Sequence, residues 1–399
     1  MHFIPTLIIG GGIAGSSLAC ALAEREAGAG VRIVDIDLFG RSRSSATSSG
    51  GVHCFSPFPL DIRLSIASIQ FFRRIEAKID FHHVGSLRLC DPATWQSVCE
   101  AIPEARVRGI SVDELTPLQA GARFPLLGNV DDLGGALALP LDGYLSLHKL
   151  RMHYLNRAQA GNVTLMDNWQ VSAIEGVAAP FRVTLRRVNP RLVKKALTDG
   201  IDKSDDLAVE AGRIVNAGGS WAGRISGLYK RALPLVAVPR QMFLIRQPRM
   251  NLEGMPFIVD EPNGINFRHS EFDRKACALI DAHHRYAANP IDFTMANYEQ
   301  QIVPRVIKRF PLMAEGEVVR AWAAHDESSA DGRAVVGAVP GVAGLFNFSG
   351  ISARTMSQCH MLAEAMAELL THEKWPADLN LEELNESRFG TNAGETRNH

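Results

Sequence analysis

Thr6-Leu7-Ile8-Ile9-Gly10-Gly11-Gly12-Ile13-Ala14-Gly15 is a short apolar run that passes through glycines into Ser16 to Arg25, a stretch of good helix formers. Strand, glycine turn and helix in that order make the opening of a dinucleotide-binding βαβ unit. Gly10 permits the tight turn. Gly12 lets the backbone come close to a pyrophosphate at the positive helix end, where Ile13 and Ala14 open the helix, and Gly15 lets that helix pack near the strand. The next strand reads Val31-Arg32-Ile33-Val34-Asp35, and Asp35 falls 20 residues after Gly15, where an acid accepts from ribose hydroxyls. Glycine is common here, at 34 of 399 residues, so the glycines alone would also suit an ordinary turn. The strand before, the helix after and the acid at the right distance decide for a dinucleotide. An acid at the second strand end also repels a 2′-phosphate, which leaves FAD or NAD.

The bulk numbers set bounds. A chain of 399 residues with 46% hydrophobic content buries one large or two medium cores. With 42 basic and 43 acidic residues the net charge is −1, so no electrostatic footprint points to nucleic acid or an anionic membrane. The cysteines at 20, 54, 90, 99, 277 and 359 form no CxxC pair and have no histidines at ligand spacing, which disfavours a metal site and a disulfide framework. Free thiols suit a reducing compartment. Met1 to Ile9 is too short for a signal peptide and no apolar run reaches 18 residues, so the expectation is a soluble, cytoplasmic protein.

Past Asp35, residues 39–52 are small, polar and glycine-terminated, a composition that suits a linker or an anion nest; the position just after the ribose-binding acid favours the nest. Residues 61–77 carry Ile62, Ile66, Ile69, Phe72 and Ile75 near helical spacing. Strands are expected at 85–89, 133–139, 163–166, 170–174, 182–187, 207–210, 213–217, 236–246 and 258–267, and helices from Ser111, over 146–160, over 297–310 with a kink at Pro304, and over Ser352 to Leu370. The charged stretch 190–206 reads as an exposed insertion, and the residues from Glu386 as a frayed polar tail. The strand patterns alternate along the chain, which predicts two interleaved domains.

With these pieces placed, the chain resembles the D-amino-acid-oxidase-type flavoproteins, which include monomeric sarcosine oxidases, glycine oxidases and D-amino acid dehydrogenases. Four stretches carry the likeness: the glycine turn with Asp35, Ser44 to Val52, Ile214 to Ala222, and the block from Arg320 to Leu370. The resemblance implies an α/β fold, a Rossmann-like FAD-binding domain of the glutathione-reductase type (1–80, 145–232 and 320–385) interleaved with a smaller α+β substrate domain on an antiparallel sheet (81–144 and 233–319). It implies FAD, its adenosine end on Gly10, Gly12, Ile13, Ala14, Gly15 and Asp35, and Ser45, Thr47, Ser48, Gly50 and Gly51 along the pyrophosphate and flavin. Val171 would meet the adenine through its backbone, and Ala217, Gly218 and Trp221 would pass behind the cofactor, although packing explains Trp221 equally well. Gly350, Ile351, Ser352, Ala353, Arg354 and Thr355 open the last helix, whose unpaired N–H groups suit the negative charge of a reduced flavin. Relatives with covalent flavin use a cysteine near the tryptophan; residues 322–332 contain none, so the FAD is expected to be noncovalent.

Relatives acting on α-amino acids often carry an arginine between that tryptophan and the Asp-Gly pair, where it clasps a carboxylate with two prongs. This chain has His325-Asp326-Glu327 there. Either Arg354 or Arg268 holds the carboxylate, or the substrate lacks one. Asp326 facing the flavin would favour a cationic amine, against the plainer reading of a solvated loop acid, and His325 is a candidate base or a structural histidine. The expected reaction is oxidation of a C–N bond in a small amine or amino acid, with hydride passing to flavin N5, an imine released to hydrolysis, and O2 or another carrier reoxidising the flavin. The second reading is a flavin monooxygenase acting on a small molecule, protein or RNA; it ranks lower because Val336-Gly337-Ala338-Val339 lacks the acid of the usual Gly-Asp pair.

Overall fold

The computed structural model describes residues 2–40, 48–189, 206–270, 277–283 and 298–390. Ser45 and Thr47 lie outside them. The described residues divide into two compact units, the first drawn from Met1–Ala46, Leu147–Ala237 and Asp326–His399, the second from Thr47–Ser146 and Val238–His325.

The first unit is built on an eight-stranded sheet whose path runs Val335–Ala338, Leu345–Ser349, Asp206–Asn216, His2–Ile9, Val31–Asp35, Thr164–Asp167. From Leu345–Ser349 to Thr164–Asp167 every neighbouring pair is parallel. Leu7, Ile8 and Ile9 are consecutive buried residues, the unbroken apolar run expected of a central parallel strand covered on both faces. Helix Ile13–Glu24 packs against Leu147–Ala160 and Cys359–His372. It is buried continuously from Ile13 to Leu22, and its glycine, serine and alanine side chains let the neighbouring helices approach closely. Phe181–Arg187 and Trp169–Glu175 add an antiparallel flap. The two strands expected at 207–210 and 213–217 are one strand, Asp206–Asn216, long enough to pair with the flap at its start and with His2–Ile9 along its length.

The second unit has its own eight-stranded sheet, ordered Glu317–Ser329, Leu235–Arg246, Cys277–His283, Ile265–Ser270, Phe257–Asp260, Ser86–Cys90, Gly135–Leu139, Asp113–Leu115. From Leu235–Arg246 onward the pairs are antiparallel except Phe257–Asp260 on Ser86–Cys90, which is parallel. The strand expected at 258–267 is thus two strands, turned at Gly264. Residues 48–80, expected with the glycine turn, group here instead: helix Pro59–Arg74 packs on Glu76–Ile79 and on Pro92–Val107. That last helix carries its start signal in the sequence, with Asp91 accepting from the Thr94 N–H and Pro92 in the first turn. The helix expected from Ser111 begins later, at Pro117, behind a Thr116–Gln119 capping box.

The tail does not fray at Glu386. Glu386 accepts from Asn347 Nδ2 at 2.6 Å, and Arg388 grips Asp331 through Nε and Nη2 at 2.8 and 3.0 Å.

Candidate functional site

In the first unit the chain leaves strand His2–Ile9 at Gly10 with φ +107°. A Cβ there would lie 2.4 Å from the Ala217 carbonyl oxygen, and one on Gly15 would lie 1.9 Å from the Gly10 oxygen. Only glycine allows strand, turn and helix to approach this closely. Gly12 is the helix N-cap, in extended conformation and with no side-chain cap, and Ser16 is the residue whose N–H bonds back to the Gly12 carbonyl. The amides of Ala14 and Gly15 therefore have no acceptor within their own helix, and its positive end is not neutralised by an acid in the first turn.

Asp35 is buried at the end of its strand. Its Oδ2 accepts from the Gly11 N–H at 2.6 Å and Oδ1 from the Asp37 N–H at 3.1 Å, so the carboxylate fixes the glycine turn. Arg151 completes the arrangement from helix Leu147–Ala160. Fully buried, it donates to the carbonyls of Leu38 at 2.7 Å and Gly40 at 2.8 Å, and reaches Gly11 at 3.5 Å. Its signal in the sequence is an arginine among Leu147, Leu150, Tyr154, Leu155 and Ala158 on the buried face of a helix, where a charge is kept only when it has partners. Ala217 donates its N–H to Ile9 and lies against Gly10, while Gly218 is closed off by Ile225. Trp221 is half-buried, with Arg224 over its ring. Val171 sits within strand Trp169–Glu175, beside an irregularity in its pairing.

The closing segment departs from expectation. Ser352 to Thr355 is a turn, followed by a 3-10 turn at Met356–Gln358 and an α-helix only from Cys359 to His372. Side chains compete for the backbone here and win. Thr355 Oγ1 accepts from the Ser352 N–H at 2.8 Å and donates to the Gly350 carbonyl at 2.6 Å, and Ser352 Oγ accepts from the Arg354 N–H at 3.2 Å. Asp326 receives the Ala353 N–H on both oxygens at 3.2 Å, and Glu327 Oε1 receives the Ile351 N–H at 2.9 Å. The amides expected to be spare at a helix start are thus in use. Asp326 lies in strand Glu317–Ser329, not a loop, and braces this turn. Glu327 is 5% exposed; burial, with the neighbouring Asp326 charge, pushes its carboxyl up to about 7 against the pull of the Gly350 and Ile351 amides. The Arg354 side chain is exposed, and while its backbone N–H donates to Ser352 Oγ, no hydrogen bond or ion pair joins its guanidinium to another described residue.

In the second unit, Ser48 Oγ accepts from the Gly50 N–H at 3.1 Å, and Gly51–Val52 pairs with Gly143–Tyr144. Buried Asp281 anchors this segment, accepting from Ser49 Oγ at 2.8 Å and from Arg240 through two bonds of 2.7 and 2.6 Å. Arg268 is committed: Nε donates to the Ser49 carbonyl and Nη1 to that of His269, both at 2.7 Å, and the guanidinium lies 4.4 Å from the Tyr144 ring. That leaves it poorly placed to clasp a carboxylate. His325 is half-buried, and burial pushes its imidazole below the usual range, so it is neutral at pH 7. His53, absent from the sequence reading, has Nδ1 3.3 Å from the fully buried Asp142, which also accepts from the Cys54 N–H and from Ser86 Oγ. Among the described residues no His, Cys, Asp and Glu group is arranged to hold a metal.

The glycine turn, the uncapped helix end, the acid closing the second strand and the buried Glu327 Oε2, which has no hydrogen-bond partner among the described residues, fit a dinucleotide cofactor. The comparisons agree. A family model, DAO: FAD dependent oxidoreductase, matches residues 6–369. FAD-dependent oxidoreductase domain-containing protein 1 of Mus musculus is 26% identical over 91% of this chain and 80% of its own, and mitochondrial dimethylglycine dehydrogenase of Rattus norvegicus is 28% identical over 68% of this chain and 31% of its own. Among solved structures, L-proline dehydrogenase from P. horikoshii superposes with a TM-score of 0.79 at 18% identity, covering 99% of this chain and 100% of that one. Glycine oxidase from Geobacillus kaustophilus gives 0.77 at 20%, covering 97% and 99%. The chain belongs to the DAO family of FAD-dependent oxidoreductases, and FAD is its cofactor.

Proposed function

We propose that this oxidoreductase removes hydride from the carbon beside nitrogen in a small amino acid or N-alkylated amino acid. Bound FAD supplies the two-electron acceptor, with O2 or another carrier taking the electrons onward. In this reading Gly12 and the first turn at Ala14 and Gly15 receive the pyrophosphate through backbone amides, Gly10, whose own amide donates to Val34, gives the turn its path, and Asp35 keeps the turn in shape while accepting from the ribose. Arg151 holds the loop after Asp35 in place. Residues 322–332 offer no cysteine, so the cofactor is held without a covalent bond.

The observation that carries the substrate class is Arg354, an exposed guanidinium on the closing turn that is spent on no described partner. A planar fork of donors held on a braced backbone suits a carboxylate. Asp326, occupied with the Ala353 amide, is a brace in this scheme and not the seat of a cationic amine. Dimethylglycine dehydrogenase, glycine oxidase and L-proline dehydrogenase, all similar to this chain, are named for small amino acids, which supports the same class.

The test is an anaerobic screen of amino acids, N-methylated amino acids and simple amines against the purified holoprotein, followed by flavin bleaching. Carboxylated substrates should bleach the flavin and their decarboxylated analogues should not. In Arg354→Ala, KM for the carboxylated substrate should rise on the order of 10- to 100-fold with kcat changed far less, the loss expected for one bidentate ion pair. Bleaching by dithionite but by none of these compounds would refute the reading.

A further inference from the structure

Glu327 has more oxygen than its brace requires. Oε1 takes the Ile351 amide at 2.9 Å, while Oε2 is buried without a hydrogen-bond partner among the described residues. The Gly350 amide also favours the charged carboxyl, yet neither amide bonds to Oε2, and burying a second carboxyl oxygen unsatisfied is unfavourable. The place is also telling. Strand Leu345–Ser349 runs parallel to Asp206–Asn216, which runs parallel to His2–Ile9, so the turn that Glu327 holds and the Gly10 turn leave the same edge of one sheet. That carboxyl-end edge is where open parallel sheets take their ligands.

We propose that Glu327 is a hydrogen-bond donor to the flavin, its Oε1 pinned by the Ile351 amide so that a proton on Oε2 meets a ring oxygen or nitrogen of the cofactor. A buried carboxyl whose neutral form is favoured up to about pH 7 is able to act as a donor under working conditions, which a surface glutamate is not. Asp326, one residue earlier, is taken up by Ala353, so the two adjacent acids divide the work: one shapes the turn, the other shapes it and faces inward. The inference rests on the first unit being the FAD site, and it adds a residue with a chemical role that none of the glycine or amide contacts supplies.

Two variants separate a donor from a plain brace. Glu327→Gln keeps an oxygen for Ile351 and offers N–H in place of O–H; Glu327→Leu keeps neither. The readouts are the Kd of the apoprotein for FAD, from flavin fluorescence, and the midpoint potential of the bound flavin. Glu327→Gln should bind FAD within about threefold of wild type and leave the potential in place, whereas Glu327→Leu should bind about tenfold more weakly or worse and make the bound flavin harder to reduce, since a donor to the electron-rich reduced ring is gone. Wild-type affinity and potential in Glu327→Leu would overturn the proposal. If Glu327→Leu does not fold, Glu327→Gln decides alone: an unchanged potential supports a neutral donor, and a higher potential shows that the native group is an anion and overturns it. Wild-type protein that takes up no FAD would refute the site itself before any variant is compared.

Discussion

Arg151 is the residue whose loss should be felt furthest from its own position. Its guanidinium has no exposure and spans the carbonyls of Leu38 and Gly40, with Gly11 at the edge of reach, so it ties the glycine turn to the loop beyond Asp35. Arg151→Met keeps the length of the stem and strands those carbonyls; charged hydrogen bonds contribute about 1.5–3 kcal/mol each, and we expect about 3 kcal/mol of lost stability in urea unfolding together with weaker FAD binding. Unchanged FAD affinity in a folded variant would limit the residue to a packing role. The place of Asp35 at the end of its strand was legible from its spacing after the glycines, whereas its bonds to the Gly11 and Asp37 amides were not. Arg151 left only an indirect trace, a cation on the buried stripe of a helix, and its partners are backbone carbonyls that no residue type announces. Glu327 was harder still: a glutamate near a strand end is ordinary until burial and the orphan oxygen are known.

At the scale of elements, the closing turn shows why a helix read from composition starts in the wrong place. Ser352 and Thr355 have the right spacing for an N-cap and its first turn, yet their hydroxyls bond locally to Arg354, Ser352 and Gly350 and defer the α-helix to Cys359. Thr355→Val, which keeps shape and removes the hydroxyl, strands one donor and one acceptor at a buried site. The expected loss is about 1–3 kcal/mol in thermal or urea unfolding, with FAD affinity falling alongside because the turn that carries Ile351 and Arg354 loosens. A stability loss with unaltered FAD binding would separate the turn from the cofactor. The parallel sheet was the most readable element, since strands buried on both faces write themselves as unbroken apolar runs. The antiparallel sheet was less so: its short strands are divided by turns such as Gly264, and the pairing of Phe257–Asp260 with Ser86–Cys90 joins residues far apart in the chain.

For the molecule as a whole, two carboxyls should bend the pH dependence of stability in opposite senses. Burial tends to raise Asp331, but the Arg388 guanidinium, the Arg333 amide and the Ser329 hydroxyl overcome it and hold the group at about 2 against an ordinary 3.8; its contribution is present above about pH 4 and is lost as pH falls toward 2. Glu327, raised from 4.5 to about 7, contributes fully below about pH 4.5, and that contribution is lost as pH rises through 7, roughly 3 kcal/mol across the window. Urea midpoints measured from pH 3 to 8 on apoprotein should decline on the alkaline side in wild type and flatten there in Glu327→Gln, while Arg388→Met should lose stability mainly above pH 4. A wild-type curve level between pH 4.5 and 8 would contradict the burial assigned to Glu327. The order of strands in the first sheet also bears on how the protein is made. His2–Ile9 leaves the ribosome well before two other strands of its sheet, for its partner Asp206–Asn216 and the next strand, Leu345–Ser349, emerge some two hundred and more than three hundred residues later, roughly 10–70 s at about 5–20 residues per second. Through that interval an apolar edge stands open to neighbouring nascent chains, so this is a polypeptide whose yield in cells should depend on chaperone capacity and improve when translation is cooled.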